Sequence, residues 1–164
     1  IRLSPFMKSP TASRTSASLR GFTLVEIMVV VTIIGLLAAI AIPALQRVQQ
    51  RAQNSRFVSD LRTYAQAFET YAMEHGTWPP NGLSGMIPAP LVGDIANKWT
   101  DRNTVGGQWN WDTNRLGIQG GIATTGVTAT AAQMAEIDAM IDDGDVTQGS
   151  FRLFGTRYIL VLEE

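Results

Sequence analysis

Between Phe22 and Leu45 this chain carries one charge, Glu26, in a run that is otherwise apolar or small: FTLVEIMVVVTIIGLLAAIAIPAL. No other stretch constrains the fold as strongly. A helix rises about 1.5 Å per residue, so about 20 residues cross a hydrocarbon core roughly 30 Å thick. The run is long enough, and it is the only one of its kind in the sequence. Three details set it apart from a plain membrane anchor. At Arg20-Gly21-Phe22 a basic, polar segment meets the apolar run with no spacer. Glu26 places a carboxylate where insertion costs about 2.5–3.5 kcal/mol, which marks a functional position with a partner. Gly35 and Pro43 are two weak points in one helix; Pro43 has no N–H to donate to the carbonyl of Ala39.

The string Gly21-Phe22-Thr23-Leu24-Val25-Glu26-Ile27, with the apolar run through Ile42-Pro43-Ala44-Leu45, resembles the N-terminal processing motif of type IV pilins and type II secretion pseudopilins. The resemblance implies several roles. Gly21 and Phe22 match the prepilin peptidase cleavage pair, Phe22 the N-methylated new N-terminus, and Glu26 the residue that guides assembly. It also implies that the helix between Gly35 and Pro43 loses regularity in a filament. The physics agrees with these roles. Cleavage after Gly21 frees an amine at the membrane surface, and Glu26 lies about one helical turn deeper. Its own amine or that of the next subunit can neutralise it, and a paired buried charge is far less expensive than an unpaired one.

Residues 1–21 hold Arg2, Lys8, Arg14 and Arg20, no acid, and many Ser, Thr and Pro. They read as a disordered leader, with Ile1 or Met7 as its start. The competing reading is an ordinary secretory signal peptide, for which Ala39-Ile40-Ala41 offers a cleavage site before Ile42. Glu26 inside the apolar run counts against it. Arginines at 47, 51, 56 and 62 balance the four cations of the leader, so charge alone does not orient the span. The resemblance implies a leader in the cytoplasm, a single pass through the bacterial inner membrane, and a periplasmic domain. The domains expected are a leader at 1–21, the membrane and assembly half of a long helix at 22–45, and a pilin-like domain at 46–164.

No Gly or Pro interrupts the sequence from Ala44 to His75. Val58, Leu61, Ala65, Phe68 and Ala72, flanked by Tyr64 and Tyr71, recur at helical spacing and predict an amphipathic continuation that stops at His75-Gly76. His75 is the one histidine, and it reads as a helix-end residue rather than a ligand. Arg47, Arg51 and Arg62 share a helical stripe that suits lipid headgroups or acidic groups on neighbouring subunits. With a net charge of −1, nucleic acid is not indicated.

Gly76 to Gly82 is turn chemistry, and Pro88 and Pro90 argue for a loop after it. The alternation around Trp109 and Trp111 predicts a strand with both rings on one face. They serve either as cover for the long helix or as a platform for sugar, and the domain's need for large apolar residues favours the first. Leu116–Thr124 reads as a second strand, weakened by Gly117, Gly120 and Gly121. A short helix opening near Thr128 or Thr130 follows, and then two strands, 151–154 and 157–162, joined by Gly155-Thr156. The expected fold is therefore α+β: a long N-terminal helix packed on a small antiparallel sheet, with a short C-terminal helix and a hairpin.

Asp142, Asp143 and Asp145 are hard oxygen ligands at close spacing, the kind that can hold calcium, but they lack the twelfth-position Glu of an EF-hand. Some pseudopilins carry a C-terminal calcium site, so the resemblance makes these three candidates. On their own such acidic turns are commonly just solvated. The chain has no cysteine, whereas many type IV pilins close a C-terminal disulfide loop; this tilts the reading towards pseudopilins. It also has no G-x-S-x-G motif and no paired catalytic acids, so an enzyme is not expected. The function expected is that of a structural subunit of a type II secretion pseudopilus. The alternatives are a type IV pilin for adhesion, twitching or DNA uptake, and a membrane-anchored carbohydrate-binding domain. The partners implied are further copies of the chain, other pseudopilins, prepilin peptidase, membrane lipid, and an inner-membrane assembly platform with its ATPase.

Overall fold

The computed structural model describes residues 21–93, 95 and 97–164; the expected leader, residues 1–21, lies outside them but for Gly21. The chain divides into two units, one ending at Ile42 and one beginning at Pro43. Helix α1, Leu24–His75, contributes to both.

In the first unit α1 begins with a capping box. Thr23 Oγ1 accepts from the Glu26 N–H at 3.2 Å, and Glu26 Oε2 accepts from the Thr23 N–H at 2.8 Å and from its hydroxyl at 2.9 Å. Beyond this turn the apolar residues from Phe22 to Ile42 are solvent-facing almost throughout, and α1 is long and apolar enough there to cross a membrane.

The second unit carries both apolar cores. From α1 it draws Phe57, Val58, Leu61, Tyr64, Ala65 and Phe68, the face that the spacing predicts, extended by Phe57 and the buried Asn54. Each large apolar side chain so buried contributes about 1.5–3 kcal/mol. Gly76 ends the helix at φ +68°, donating its N–H to Ala72 O at 2.8 Å. Two short 3₁₀ turns follow, Ala89–Leu91 and Asn97–Trp99.

The sheet comprises β1 (Gln108–Arg115), β2 (Ile118–Thr125), β3 (Phe151–Phe154) and β4 (Arg157–Glu163), in the order β1-β2-β4-β3 and antiparallel throughout. Helix α2, Ala131–Ile141, lies between β2 and β3 in sequence and is capped by Thr130, whose hydroxyl accepts from Gln133 N. The β1–β2 turn is Leu116-Gly117, so the second strand starts at Ile118 rather than at Leu116. Both turn residues have positive φ, +59° and +82°, as a two-residue hairpin turn of the type favoured by strand twist requires.

Despite the glycines that weaken it on paper, β2 lies at the centre of the sheet, paired with both β1 and β4. A Cβ at Gly120 would lie 2.9 Å from Trp78 and 3.0 Å from Trp111; one at Gly121 would meet Ile118 and Ile159. These are close-approach glycines, not strand breakers.

Trp109 and Trp111 are sealed against α1. Trp109 stacks on Phe57 with ring centroids 4.8 Å apart, and Trp111 on Phe68 at 4.0 Å. They are 1% and 0% exposed. The other sheet face holds a small second core of Ile118, Ala123 and Ile159, beside the buried Asp112. Asp112 Oδ2 accepts from Arg157 and from Asn110, each at 2.9 Å, and Arg115 stands 3.9 Å from Oδ1.

Candidate functional site

The residues at the head of α1 form the first candidate site. Phe22 is 83% exposed, and nothing crowds Gly21 or Gly35. Among the described residues Thr23 is the hydrogen-bond partner of the Glu26 side chain, through two donors to one oxygen. This has two consequences. The carboxylate is held in one rotamer at the third helical position, where it also meets the favourable end of the helix dipole. Among the described residues its second oxygen accepts no hydrogen bond, and the side chain is exposed to an incoming donor. The capping role of Thr23 follows from the T-x-x-E spacing, a signal the sequence displays plainly.

The acidic turn after α2 is the second. Here the structure changes the membership of the set. Asp138, Asp142 and Asp143 each bring a carboxylate oxygen within 4.8 Å of the others. Asp145 is not in this group. Its Oδ1 accepts from the Thr147 N–H and hydroxyl, and those bonds hold its pKa below the usual carboxylate value. Asp142 Oδ2 accepts from the Ser150 N–H and hydroxyl, and Asp143 Oδ1 from Asp145 N at 2.8 Å.

Asp138 is the unusual member. It is 0% exposed, and among the described residues neither of its carboxylate oxygens makes a hydrogen bond of good geometry, the nearest polar groups being the Gly144 backbone and the Asp143 carboxyl. Burial, reinforced by the charges of Asp143 and Asp142, pushes its pKa up to about 6. A buried carboxylate beside two more offers hard oxygen donors of the kind calcium takes, and these three would supply about half of the six to eight oxygens such an ion needs. Asp138 precedes Asp142 by four residues, one helical turn, which is how α2 aims it into the loop.

The remaining sequence candidates are structural. Trp109 and Trp111 lie inside the core and offer no platform. His75 stacks on Tyr71 at 4.1 Å, with Nδ1 3.0 Å from the Tyr71 carbonyl. Arg47 and Arg51 are exposed, whereas Arg62 donates to the Met140 carbonyl at 3.0 Å and ties α1 to α2. A second tie is the buried Asn54, which donates to Glu136 and accepts from Gln133.

Residues 18–42 match the prokaryotic N-terminal methylation motif. The chain is 40% identical over 86 residues to the type IV major pilin protein PilE1 of Neisseria gonorrhoeae, covering 52% of this chain and 39% of that protein. It is 35% identical over 85 residues to the type II secretion system core protein G of Escherichia coli strain K12, covering 51% of this chain and 59% of that one. The chain thus spans about half the length of the curated relatives it matches. In fold it is similar to the major type IV pilin PilA1 from Clostridium difficile, with a TM-score of 0.51 at 18% identity, covering 72% of this chain and 98% of that one. The chain is thus similar at its N-terminus to the prepilin methylation motif, in sequence to relatives in both the type IV pilin and the type II secretion branches, and in fold to a type IV pilin.

Proposed function

We propose that this chain is a structural, non-catalytic subunit of a type II secretion pseudopilus. In this reading prepilin peptidase cleaves after Gly21 and methylates Phe22. The observation that carries it is the first unit: an apolar helix with every large side chain from Phe22 to Ile42 uncovered, and one acid held near its head. Such a surface is satisfied first by lipid and then by the same helices of other copies. Each arriving amine at Phe22 can pair with the open oxygen of a Glu26, which selects the axial register of the filament. Gly35 and Pro43, both inside α1, mark the stretch that lengthens on assembly, since each weakens the helix around it.

Before assembly the chain sits in the bacterial inner membrane, its leader cytoplasmic and residues 46–164 periplasmic. The assembly platform, its ATPase and the other pseudopilins are its partners there. The pseudopilus is favoured over a type IV pilus by the C-terminal unit: no cysteine closes it, and the Asp138–Asp142–Asp143 cluster lies where a calcium ion would fasten α2 to the 142–150 loop. Calcium there would supply charge neutralisation and a rigid loop, and no chemistry.

Complementation separates the branches. Expressed in a strain lacking its own type II secretion core protein G, the chain should restore export of that strain's secreted enzymes, and Glu26→Leu should not. Restoration of twitching in a strain lacking its major pilin, without restoration of secretion, would assign it to the type IV pili instead.

A further inference from the structure

A cleft of about 540 Å³ opens between the end of α1 and the β1–β2 hairpin, lined by Thr77, Trp78, Asn114, Gln119 and Glu163 among others. Trp78 forms one wall. The other three tryptophans are wholly buried, but Trp78 is only half-buried, packed on Trp111 at 5.3 Å over the bare backbone of Gly120. Its indole N–H donates to Glu163 Oε2, which fixes the ring's orientation.

The walls are pinned from outside. Asn81 donates to the Thr113 carbonyl at 2.9 Å and accepts from the Thr113 N–H at 2.6 Å, mimicking a further strand on β1, and Trp111 donates to the Pro79 carbonyl at 2.9 Å. The loop that carries Trp78 is therefore preorganised. Opposite it, Asn114 holds φ +50°, just before the Leu116-Gly117 turn. Among the described residues no hydrogen bond engages the side chains of Thr77 or Asn114, and Gln119 and Glu163 each keep one oxygen unused.

We propose that this cleft binds a neutral saccharide. A half-exposed indole offers a flat apolar face for the C–H side of a pyranose ring. Amide, hydroxyl and carboxylate groups around it provide both donors and acceptors, which hydroxyl-rich ligands need and purely apolar ones do not. The Glu163 carboxylate, with no Lys or Arg among the lining residues, turns away anionic sugars. This site is separate from the filament contacts of the first unit and is tested on unassembled chain, so neither proposal stands or falls with the other.

The test uses the full chain in a non-glycosidic detergent. The probes are free maltotriose, cellotriose and chitotriose, with amylose, cellulose and chitin as the polymeric arm, and sialyllactose and choline as controls. Saturation-transfer NMR and tryptophan emission, in which Trp78 is the ring open to ligand, read binding. The expected result is a neutral sugar bound at about 1 mM or tighter. Trp78→Ala should abolish binding. Asn114→Gly, which suits a positive φ, should weaken it about tenfold with unchanged thermal melting. Binding of polymer alone would make the ligand a surface polysaccharide, and binding of the free trisaccharide a soluble one. Either supports the site. Failure of all neutral probes, binding of choline or sialyllactose instead, or binding that survives Trp78→Ala in a folded variant overturns it.

Discussion

Replacing Asp138 by Asn should stabilise the metal-free protein and abolish its response to calcium. The buried carboxyl of Asp138 is pushed from its ordinary 3.8 to about 6. A raised acid is bound more tightly to its proton in the folded state. Its contribution to stability is therefore fully present below the unfolded value and is lost as pH rises through about 6. Two units correspond to about 3 kcal/mol, so roughly 2–3 kcal/mol separates pH 4 from pH 7.5 for this group. Asn has the same shape without the charge, and its amide can donate to Asp142 or Asp143. At pH 7.5 in chelator it should recover most of that difference, raising Tm by about 5–10 °C for a unit of this size. Calcium bound at the proposed site should reverse the ranking. At about 100 times its Kd a bound ion adds about 2.7 kcal/mol to wild type and little to Asp138→Asn. Near-UV circular dichroism melts of the full chain in detergent, at pH 4, 6 and 7.5, with and without calcium, read each term. A metal-free Asp138→Asn protein that melts below wild type, or one that calcium stabilises as much as wild type, refutes the reasoning.

Three further outcomes rest on independent contacts. Gly120→Ala drives a methyl to within 3.0 Å of Trp78 and Trp111 and should destabilise the second unit by about 1–3 kcal/mol, measured by urea denaturation. Arg157→Met leaves Asp112 buried with one weaker cation 3.9 Å away and should cost about 3–5 kcal/mol, seen as a lower urea midpoint at pH 7.5. Thr23→Val removes the hydroxyl of the capping box, worth about 1 kcal/mol, and should reduce sheared filament yield, whereas Thr23→Ser should preserve it.

Much of the fold is legible because periodicity and punctuation agree. The α1 face follows from its 3–4 spacing, and the C-terminal hairpin from Gly155, whose φ of +61° suits the first place of a two-residue turn. What is not legible depends on long-range contacts. Gly120 and Gly121 look like weak points because sequence does not show the tryptophan and isoleucine side chains that occupy their missing Cβ positions. Asn54 and Glu136 are polar positions whose pairing appears only when α1 meets α2. Asp138 reads as an ordinary helical acid until burial leaves its oxygens without a hydrogen bond of good geometry among the described residues. By contrast, the Thr23–Glu26 box is local, and its spacing alone suffices to find it.

The measurement that bears most directly on the account is the intact mass of the mature chain from purified membranes of an expressing bacterium. The account predicts a chain beginning at Phe22 and about 14 Da heavier than its unmodified mass, the signature of one methyl group. A chain beginning at Ile42, left by ordinary signal peptidase, would contradict it, because both Glu26 and the apolar helix that carries it would have been discarded.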